Sequence, residues 1–559
     1  MSATQYPQAE RAMAQTHTVE NQPPALEDYN AFLCDRAAQE MAARFGAGRH
    51  EQTLIDYGAL TGSAAMIELG FQANAQKPEL HTHDRYGHRV DEIRFHPAYH
   101  QLMQAALEHG LHSSPWTDPG PGAHVKRALQ YYLHTQVEAA HGCPVTMTFA
   151  AMPTLRQNKA IADEWLPKVF AQAYDGRNVP YTEKQALTLG MAMTEKQGGS
   201  DVRANATVAY PLDTEGALKS YELVGHKYFV SAPMSDGFLV LAQAPEGLSC
   251  FLLPRWRPDG SKNPLQIQRL KNKMGNVANA SSETELRGAL AWLIGEPGRG
   301  VRTIIEMVAL TRYDCMIGSS GGMRQATAQA VHHCRHRQAF GAALSEQPLM
   351  QNVLADLALE SEAALAYTLR MAQALDNADD ENEQRLIRIG TAIGKYWICK
   401  RTPQHAYEAM ECIGGSGLME DCIMPRLFRE SPVNAIWEGS GNIQCLDVLR
   451  SMDKEPDALE AFMADVSLAV GAHPLFDDFL ISLQEELEET DNLAYRARTL
   501  TEHLALAMQA SLLLRGSNKV VADAFCQSRL KPGIALNYGN LPVGVDCAAI
   551  IDRAAPVFR

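Results

Sequence analysis

Among its 11 cysteines the sequence has no C-x-x-C pair, and an odd number cannot all pair with one another. That argues against a disulfide framework or a zinc ribbon and predicts reduced thiols in a cytoplasmic protein. No window approaches 18 uninterrupted apolar residues, so no membrane span is expected. The first residues, MSATQYPQAERAM, lack the apolar stretch and cleavage signature of a secretory signal. No G-x-G-x-x-G follows a strand-like run, which leaves a Rossmann dinucleotide site unsupported. No nucleophile elbow or P-loop is read either, which sets hydrolase and kinase chemistry aside. Positive charge is short: 50 Lys and Arg stand against 65 Asp and Glu, a net charge of -15. Phosphate backbones repel such a chain at long range, so DNA binding would need a local basic patch. HTHD (81–84) and the i, i+4 pair His332 and His336 each lack an evident third ligand, so no metal is expected.

What remains is an ordinary globular balance, 46% hydrophobic and 21% charged over 559 residues, enough for about three or four packed units. Residues 1–30 read as an extended arm, because the two prolines of QTHTVENQPP cannot sit inside a helix. From 31 to 187 apolar residues recur mainly at helical spacing, as in HPAYHQLMQAALEHGL. From 188 to 297 short aromatic and β-branched runs (YELVG, FLVLAQA, SCFLLP) alternate with turn residues, which predicts antiparallel strands. Long helical stretches return from 298 to 450 and suggest a bundle. A fourth helical segment, 451–559, carries the acidic run QEELEETD and a loop-rich end containing GIALNYGNLPVGVD.

Three short stretches give this order a more specific meaning. MTEKQGGSDV (193–202), RHRQAFGAALSEQPLMQ (335–351) and IWEGSGNIQ (436–444) resemble signatures of the acyl-CoA dehydrogenases. The strings QTHTVENQP, RFHPA, VEAAHGCPVTMTFAA, KNKMGNVANASSE, TRYDC and GNIQCLDVLR are similar to those of one branch, the AidB-like proteins. The resemblance implies an α+β fold: an N-terminal helical domain, a central antiparallel β-domain and a C-terminal helical bundle, plus an additional C-terminal helical domain.

It also implies FAD, held between the β-domain, the bundle and a neighbouring subunit of a homotetramer arranged as a dimer of dimers. Met193, Thr194, Gly199 and Ser200 match the segment that serves the isoalloxazine and pyrophosphate, with Gly198 beside them. Phe229 and Ser231 match the pair beside the flavin ring, Phe standing where Trp is usual. Arg337, Phe340 and Gln347 match residues that reach the neighbouring protomer's FAD, and a planar guanidinium suits a pyrophosphate. Gly414 and Gly415 match a turn near the adenine that could equally cap a helix. Trp437, Ser440, Gly441 and Asn442 flank Glu438, which matches the catalytic base.

The implied reaction removes an α-proton of an acyl-CoA while the β-hydrogen leaves as hydride to flavin N5. Such a proton is weakly acidic, so the base must be positioned and desolvated. Trp437 replaces the usual Tyr and would reshape or shorten the acyl cavity. Thr311, where one branch keeps an alternative Glu, cannot serve as a base. Short or branched substrates, with isovaleryl-CoA the test case, are the expectation.

AidB-like proteins also imply a role in the alkylation response and binding of double-stranded DNA through the last domain. Here that domain holds about nine Lys and Arg against about sixteen Asp and Glu. Arg496, Arg498, Arg515, Lys519, Arg529 and Lys531 do concentrate within about 36 residues, and on a helix Arg515 and Lys519 would share a face. An enzyme and a DNA-binding protective flavoprotein both remain open at this point.

Overall fold

Residues 16–30 run extended along the end of a 37-residue helix, where the Pro24 carbonyl meets His332 Nε2 at 2.8 Å and Arg337 Nη1 donates to the Asn21 carbonyl at 2.6 Å. The structure, a computed structural model, describes residues 16–531 and 537–556. GIAL of the loop-rich end lies outside them, as does everything before Thr16.

The N-terminal segment folds as helices α1 (Arg36–Arg44), α2 (Glu51–Thr61) and α3 (Ala64–Ala75), a hairpin of β1 (Glu79–His83) and β2 (Arg89–Arg94), then α4 (Pro97–Glu108), α5 (Ala123–Val137), α6 (Gly142–Ala150) and α7 (Lys159–Val169). The helical pattern passes over that hairpin, and HTHD is the end of β1 with the first residue of the turn, Asp84. The Asp84 carboxylate accepts from the backbone of Tyr86 and His88, at 2.8 and 2.9 Å, as Asx turns do.

The predicted β-domain is present as β3 (Leu189–Ala192), β4 (Val208–Asp213), β5 (Ser220–Ser231), β6 (Gly237–Ala244), β7 (Gly247–Pro254), β8 (Leu265–Leu270) and β9 (Ser281–Ile294). Its pairings close on themselves, β6–β4–β5–β9–β7–β6, around an apolar core of residues such as Leu223, Val240 and Phe251. One expectation is corrected: β6 pairs in parallel with both β3 and β4, and only the other pairings are antiparallel. The long connections from β3 and β4 to β6 permit this, since parallel neighbours need a crossover rather than a tight turn.

Helix α8 (Gly300–His336) follows, then the two-residue strands β10 (Gln338–Ala339) and β11 (Ala342–Ala343), and the bundle helices α9 (Pro348–Asp376), α10 (Glu381–Ile413), α11 (Met424–Glu430) and α12 (Gly441–Lys454). The middle of α8 is buried on every side and carries Asp314 inward. Arg127 of α5 grips that carboxylate with both terminal nitrogens, one at 2.6 Å, and Thr146 donates to it at 2.8 Å. The pentapeptide at 318–322, GSSGG, does have the G-x-S-x-G spelling. It lies within α8 rather than on a strand-to-helix turn, and Ser320 is buried against Thr368 at 2.9 Å. A nucleophile elbow is therefore excluded by geometry.

The last segment comprises α13 (Pro456–Ser467), α14 (Pro474–Glu488), α15 (Leu493–Leu514), α16 (Lys519–Arg529) and α17 (Cys547–Ala554). The final helix interrupts the stretch read as loop. These helices share one apolar core with the bundle and the N-terminal helices: Phe462, Leu504 and Phe525 belong to the same cluster as Leu359 and Leu129. Among the described residues no helix is long and apolar enough to cross a membrane.

Candidate functional site

A cavity of about 710 Å³ opens where α6, the barrel and α8 meet the loop before α12. The barrel supplies one wall. Thr194 leaves β3 there, and its carbonyl accepts from Tyr228 of β5 at 2.8 Å. Asn205 Nδ2 holds the neighbouring carbonyl of Met193 at 2.9 Å. The turn that follows is pinned from below by Glu195, whose buried carboxylate takes Lys227 Nζ at 2.8 Å, Thr207 Oγ1 at 2.6 Å and the Ala206 amide at 2.7 Å. Gly199 is needed because a Cβ there would lie 2.6 Å from Thr194 Oγ1. Gly198, at φ +158, has open space where its Cβ would be. Close packing thus decides one glycine and access the other.

Phe229 and Ser231 sit two residues apart on β5, and both line the cavity, Phe229 with 43% of its surface exposed. Met193, Thr194, Gly199 and Ser200 line it with them.

Trp437, Glu438 and Ser440 form the opposing wall. Glu438 has φ +57, a left-handed conformation that costs a non-glycine residue about 1–2 kcal/mol. Donors from other helices hold it there. Lys395 Nζ of α10 donates to the carbonyls of Trp437 (2.9 Å) and Gly439 (2.8 Å). Arg312 Nε of α8 donates to the carbonyl of Glu438 at 3.0 Å, and Gln444 Nε2 reaches the same oxygen at 3.1 Å. Asp447 fixes Arg312 in turn at 2.7 Å.

The Glu438 carboxylate faces the cavity. Burial raises its pKa above the ordinary carboxylate value, opposed by a 2.8 Å hydrogen bond from Thr311 Oγ1 and by the charges of Lys395 and Arg312. Thr311, set aside as a base, is therefore the base's hydrogen-bond partner. Sequence reasoning gave no role to Lys395, Arg312 or Gln444. Only the i+6 spacing of Gln444 from Glu438, on the helix the loop enters, could have pointed to one of them.

Other predicted cofactor residues lie elsewhere on the chain. Arg337, Phe340 and Gln347 gather around the β10–β11 turn, where Gln347 Nε2 donates to the Ala339 carbonyl at 3.2 Å and Phe340 is fully exposed at φ +54. Gly414, at φ +73, ends α10 with its amide on the Glu411 carbonyl, so the cap reading holds. Both Gly414 and Gly415 are exposed with open space beside them. Gly441 rests on the Tyr396 ring, and Asn442 Oδ1 accepts from Arg498 Nε at 2.8 Å.

That last contact begins a correction to the basic cluster. Arg529 is buried, its guanidinium shared between Asp356 and Glu360. Arg515 pairs with Asp465 at 3.1 Å. Arg515 and Lys519 do not share a helix face, because Gly516 and the N-cap Asn518 separate α15 from α16. Lys519 Nζ turns back to the Leu514 carbonyl at 3.2 Å, and Arg496 caps the carbonyls of Glu489 and Asp491. Lys531 is exposed. Of the six charges, Arg515 is thus spent on Asp465 and Arg529 on Asp356 and Glu360 of α9, while Arg498, Lys519 and Lys531 stay exposed.

Comparison with known proteins agrees with the geometry. Residues 21–176 match the family described as adaptive response protein AidB N-terminal domain, residues 190–289 the acyl-CoA dehydrogenase middle domain, and residues 298–452 the acyl-CoA dehydrogenase C-terminal domain. The chain is 44% identical to AidB of Escherichia coli (strain K12) over 519 residues, covering 92% of this chain and 95% of that one. It is 32% identical over 437 residues to acyl-CoA dehydrogenase family member 11 of Caenorhabditis elegans, covering 75% of this chain and 70% of the relative. The crystal structure of C. elegans ACDH-11 in complex with C11-CoA superposes with a TM-score of 0.85 at 27% identity, over 96% of both chains. The chain belongs to the acyl-CoA dehydrogenase family, in its AidB branch, and FAD is its expected cofactor.

Proposed function

We propose that the protein is an FAD-dependent acyl-CoA dehydrogenase in which Glu438 removes the α-proton of the thioester. The observation that carries this reading is the Glu438 carboxylate itself: desolvated, raised in pKa, partnered by Thr311 and aimed into the cavity. A base of this kind takes a proton better than an exposed carboxylate does.

The residues present fit the cofactor. An exposed aromatic face (Phe229), hydroxyls at Thr194, Ser200 and Ser231, and a glycine with open space beside it converge on one wall of a cavity within the usual ligand-site range. Those residues would hold the isoalloxazine and the adjoining phosphates. FAD, when bound, supplies the acceptor for the β-hydride at N5. The chain's own contribution is to set the substrate between that wall and Glu438, to keep water from the carboxylate, and to receive the proton on it. The C. elegans relative's complex with C11-CoA supports an acyl-CoA ligand.

Trp437 stands beside the base with its indole N–H fixed on Asn434 Oδ1 at 2.9 Å, and favours a short or branched acyl group. The open glycines at 414 and 415 and the fully exposed Phe340 support completion of a second cofactor contact by a neighbouring copy, as a homotetramer would give. A protective role in the alkylation response would draw on the same cavity. The DNA-binding reading has less support, because Arg529 and Arg515 are spent on carboxylates within the fold.

Anaerobic addition of isovaleryl-CoA and of longer acyl-CoAs tests the reading through the flavin band near about 450 nm. Bleaching in the wild type and its loss in Glu438→Gln are expected. A band that persists with every acyl-CoA overturns the proposal.

A further inference from the structure

Two lysines follow β8 and reach the cavity side of the barrel, and their surroundings differ. Lys271 Nζ lies 3.1 Å from the Tyr228 ring centroid and 4.5 Å from that of Phe229, and its charge is matched by Glu283 at 2.7 Å. Lys273 lines the cavity, and its hydrogen bonds all go to neutral oxygens: the Asn279 carbonyl at 2.8 Å, Ser281 Oγ at 2.9 Å and Asn276 Oδ1 at 3.3 Å. Ser281 is the register partner of Ser231 across β5 and β9, and their hydroxyl oxygens are 3.4 Å apart. Lys273 is thus linked through two hydroxyls to the residue that heads the proposed flavin wall.

Lys273 is half-buried, and burial lowers its pKa to about 8, so it is mostly an ammonium at neutral pH. With no carboxylate bonded to it, its field is less cancelled than that of Lys271. The acidic groups facing it are Cys143, Glu430 and Glu138. Burial raises the Cys143 thiol to about 12 and the Glu430 carboxyl to about 7, so both hold their protons more than they ordinarily would. Glu138 is engaged by His141 at 2.6 Å. The cavity therefore has a carboxylate on one wall and a weakly compensated cation on the other.

We propose that Lys273 sets the electron affinity of the bound flavin, acting through Ser281 and Ser231. This rests on the FAD-dependent reading above. Two-electron reduction leaves negative charge on the cofactor, and a nearby cation favours the reduced form. Lys273 is a positioning residue in this role. It neither takes the substrate proton nor receives the hydride.

The test uses the full chain reconstituted with FAD and equilibrated with a redox dye of known potential. Lys273→Met is expected to lower the reduced-to-oxidised ratio at fixed potential by tenfold or more, about 30 mV for a two-electron couple. Lys273→Arg, which keeps the charge, is expected to stay near the wild type, and Ser281→Ala to fall between. A Lys273→Met protein that holds FAD with a ratio unchanged from the wild type overturns the proposal while leaving the dehydrogenase reading standing. Should that variant fail to hold FAD, Lys273→Gln and Ser281→Ala decide, and an unchanged ratio in both overturns it. A wild-type chain that takes up no FAD overturns the dehydrogenase reading, and this proposal with it.

Discussion

Thr311 donates its hydroxyl to Oε2 of Glu438 at 2.8 Å, across 127 residues of sequence and from the most buried part of the longest helix. The bond favours the ionised carboxylate, while burial favours the protonated one. In Thr311→Val the opposing bond is gone and the pKa rises further. Because the base acts ionised, the acidic limb of the flavin-bleaching rate moves to higher pH, by roughly one unit if the bond contributes about 1.4 kcal/mol. Stopped-flow rates across pH check this, and a limb that does not move assigns Thr311 a packing role alone.

Glu438 itself is held in a strained conformation. Glu438→Gly removes both the left-handed cost and the base. The expected protein is catalytically dead yet more stable than the wild type by about 1 kcal/mol. Chemical denaturation beside the bleaching assay checks the pair of outcomes, and a loss of stability would locate the strain elsewhere.

Lys395→Met strips a donor from the carbonyls on either side of Glu438, those of Trp437 and Gly439. Gly439 keeps Gln444 Nε2 at 2.9 Å, so one carbonyl, that of Trp437, is left unmatched. The variant should lose about 1–3 kcal/mol, and the loop carrying the base should lose its set. Thermal unfolding measures the first effect. Slower bleaching at saturating acyl-CoA measures the second.

Acid should unfold the protein through its buried carboxylates. Partners hold Glu195, Glu138 and Glu360 at about 2, well below the ordinary glutamate value of 4.5. A depressed folded pKa means stability that is complete above about 4.5 and is lost as pH falls toward 2. Urea midpoints should be flat above that window and drop within it. Glu195→Gln, which leaves Lys227 buried and unmatched, should cost about 3–5 kcal/mol at neutral pH and make the drop shallower.

Arg529→Ala separates the two views of the basic cluster. Asp356 and Glu360 lose their shared cation, and a loss of about 3–5 kcal/mol is expected. Reversing the exposed Lys531 should leave stability within about 0.5 kcal/mol of the wild type. If DNA retention falls in Lys531→Glu and not in Arg529→Ala variants that remain folded, the patch is smaller than the sequence suggested.

Helical periodicity and the short runs of the barrel were legible because each depends on neighbours in sequence. The hairpin of β1 and β2 was hidden inside a helical stretch, although Asp84 to Gly87 has the chemistry of a turn. The break between α15 and α16 was also written, in Gly516, Ser517 and the N-cap Asn518. Parallel pairing of β6, and the grip of Lys395 and Arg312 on the loop of Glu438, were not legible. They join residues 35 to 126 positions apart, and nothing local records such a meeting. Motif residues such as Thr194, Ser231 and Glu438 do meet at one cavity, while the residues that hold them in place were missed, because a supporting donor can come from any helix that passes nearby.

Near the other end of the molecule, Arg553 of α17 bridges Glu40 of α1 and Glu362 of α9, Arg44 donates to the Leu512 carbonyl, and Arg324 joins the carbonyls of Cys34 and Ala554. Ribosomes deliver α1 first and α17 more than five hundred residues later. Until residue 553 emerges, Glu40 and Glu362 wait without their cation, and the first helix has no finished seat. The helical base of this flavoprotein is therefore set only once residue 553 has been made. Cells must shelter its open apolar faces for that interval, whereas the barrel, complete by residue 294, can close long before.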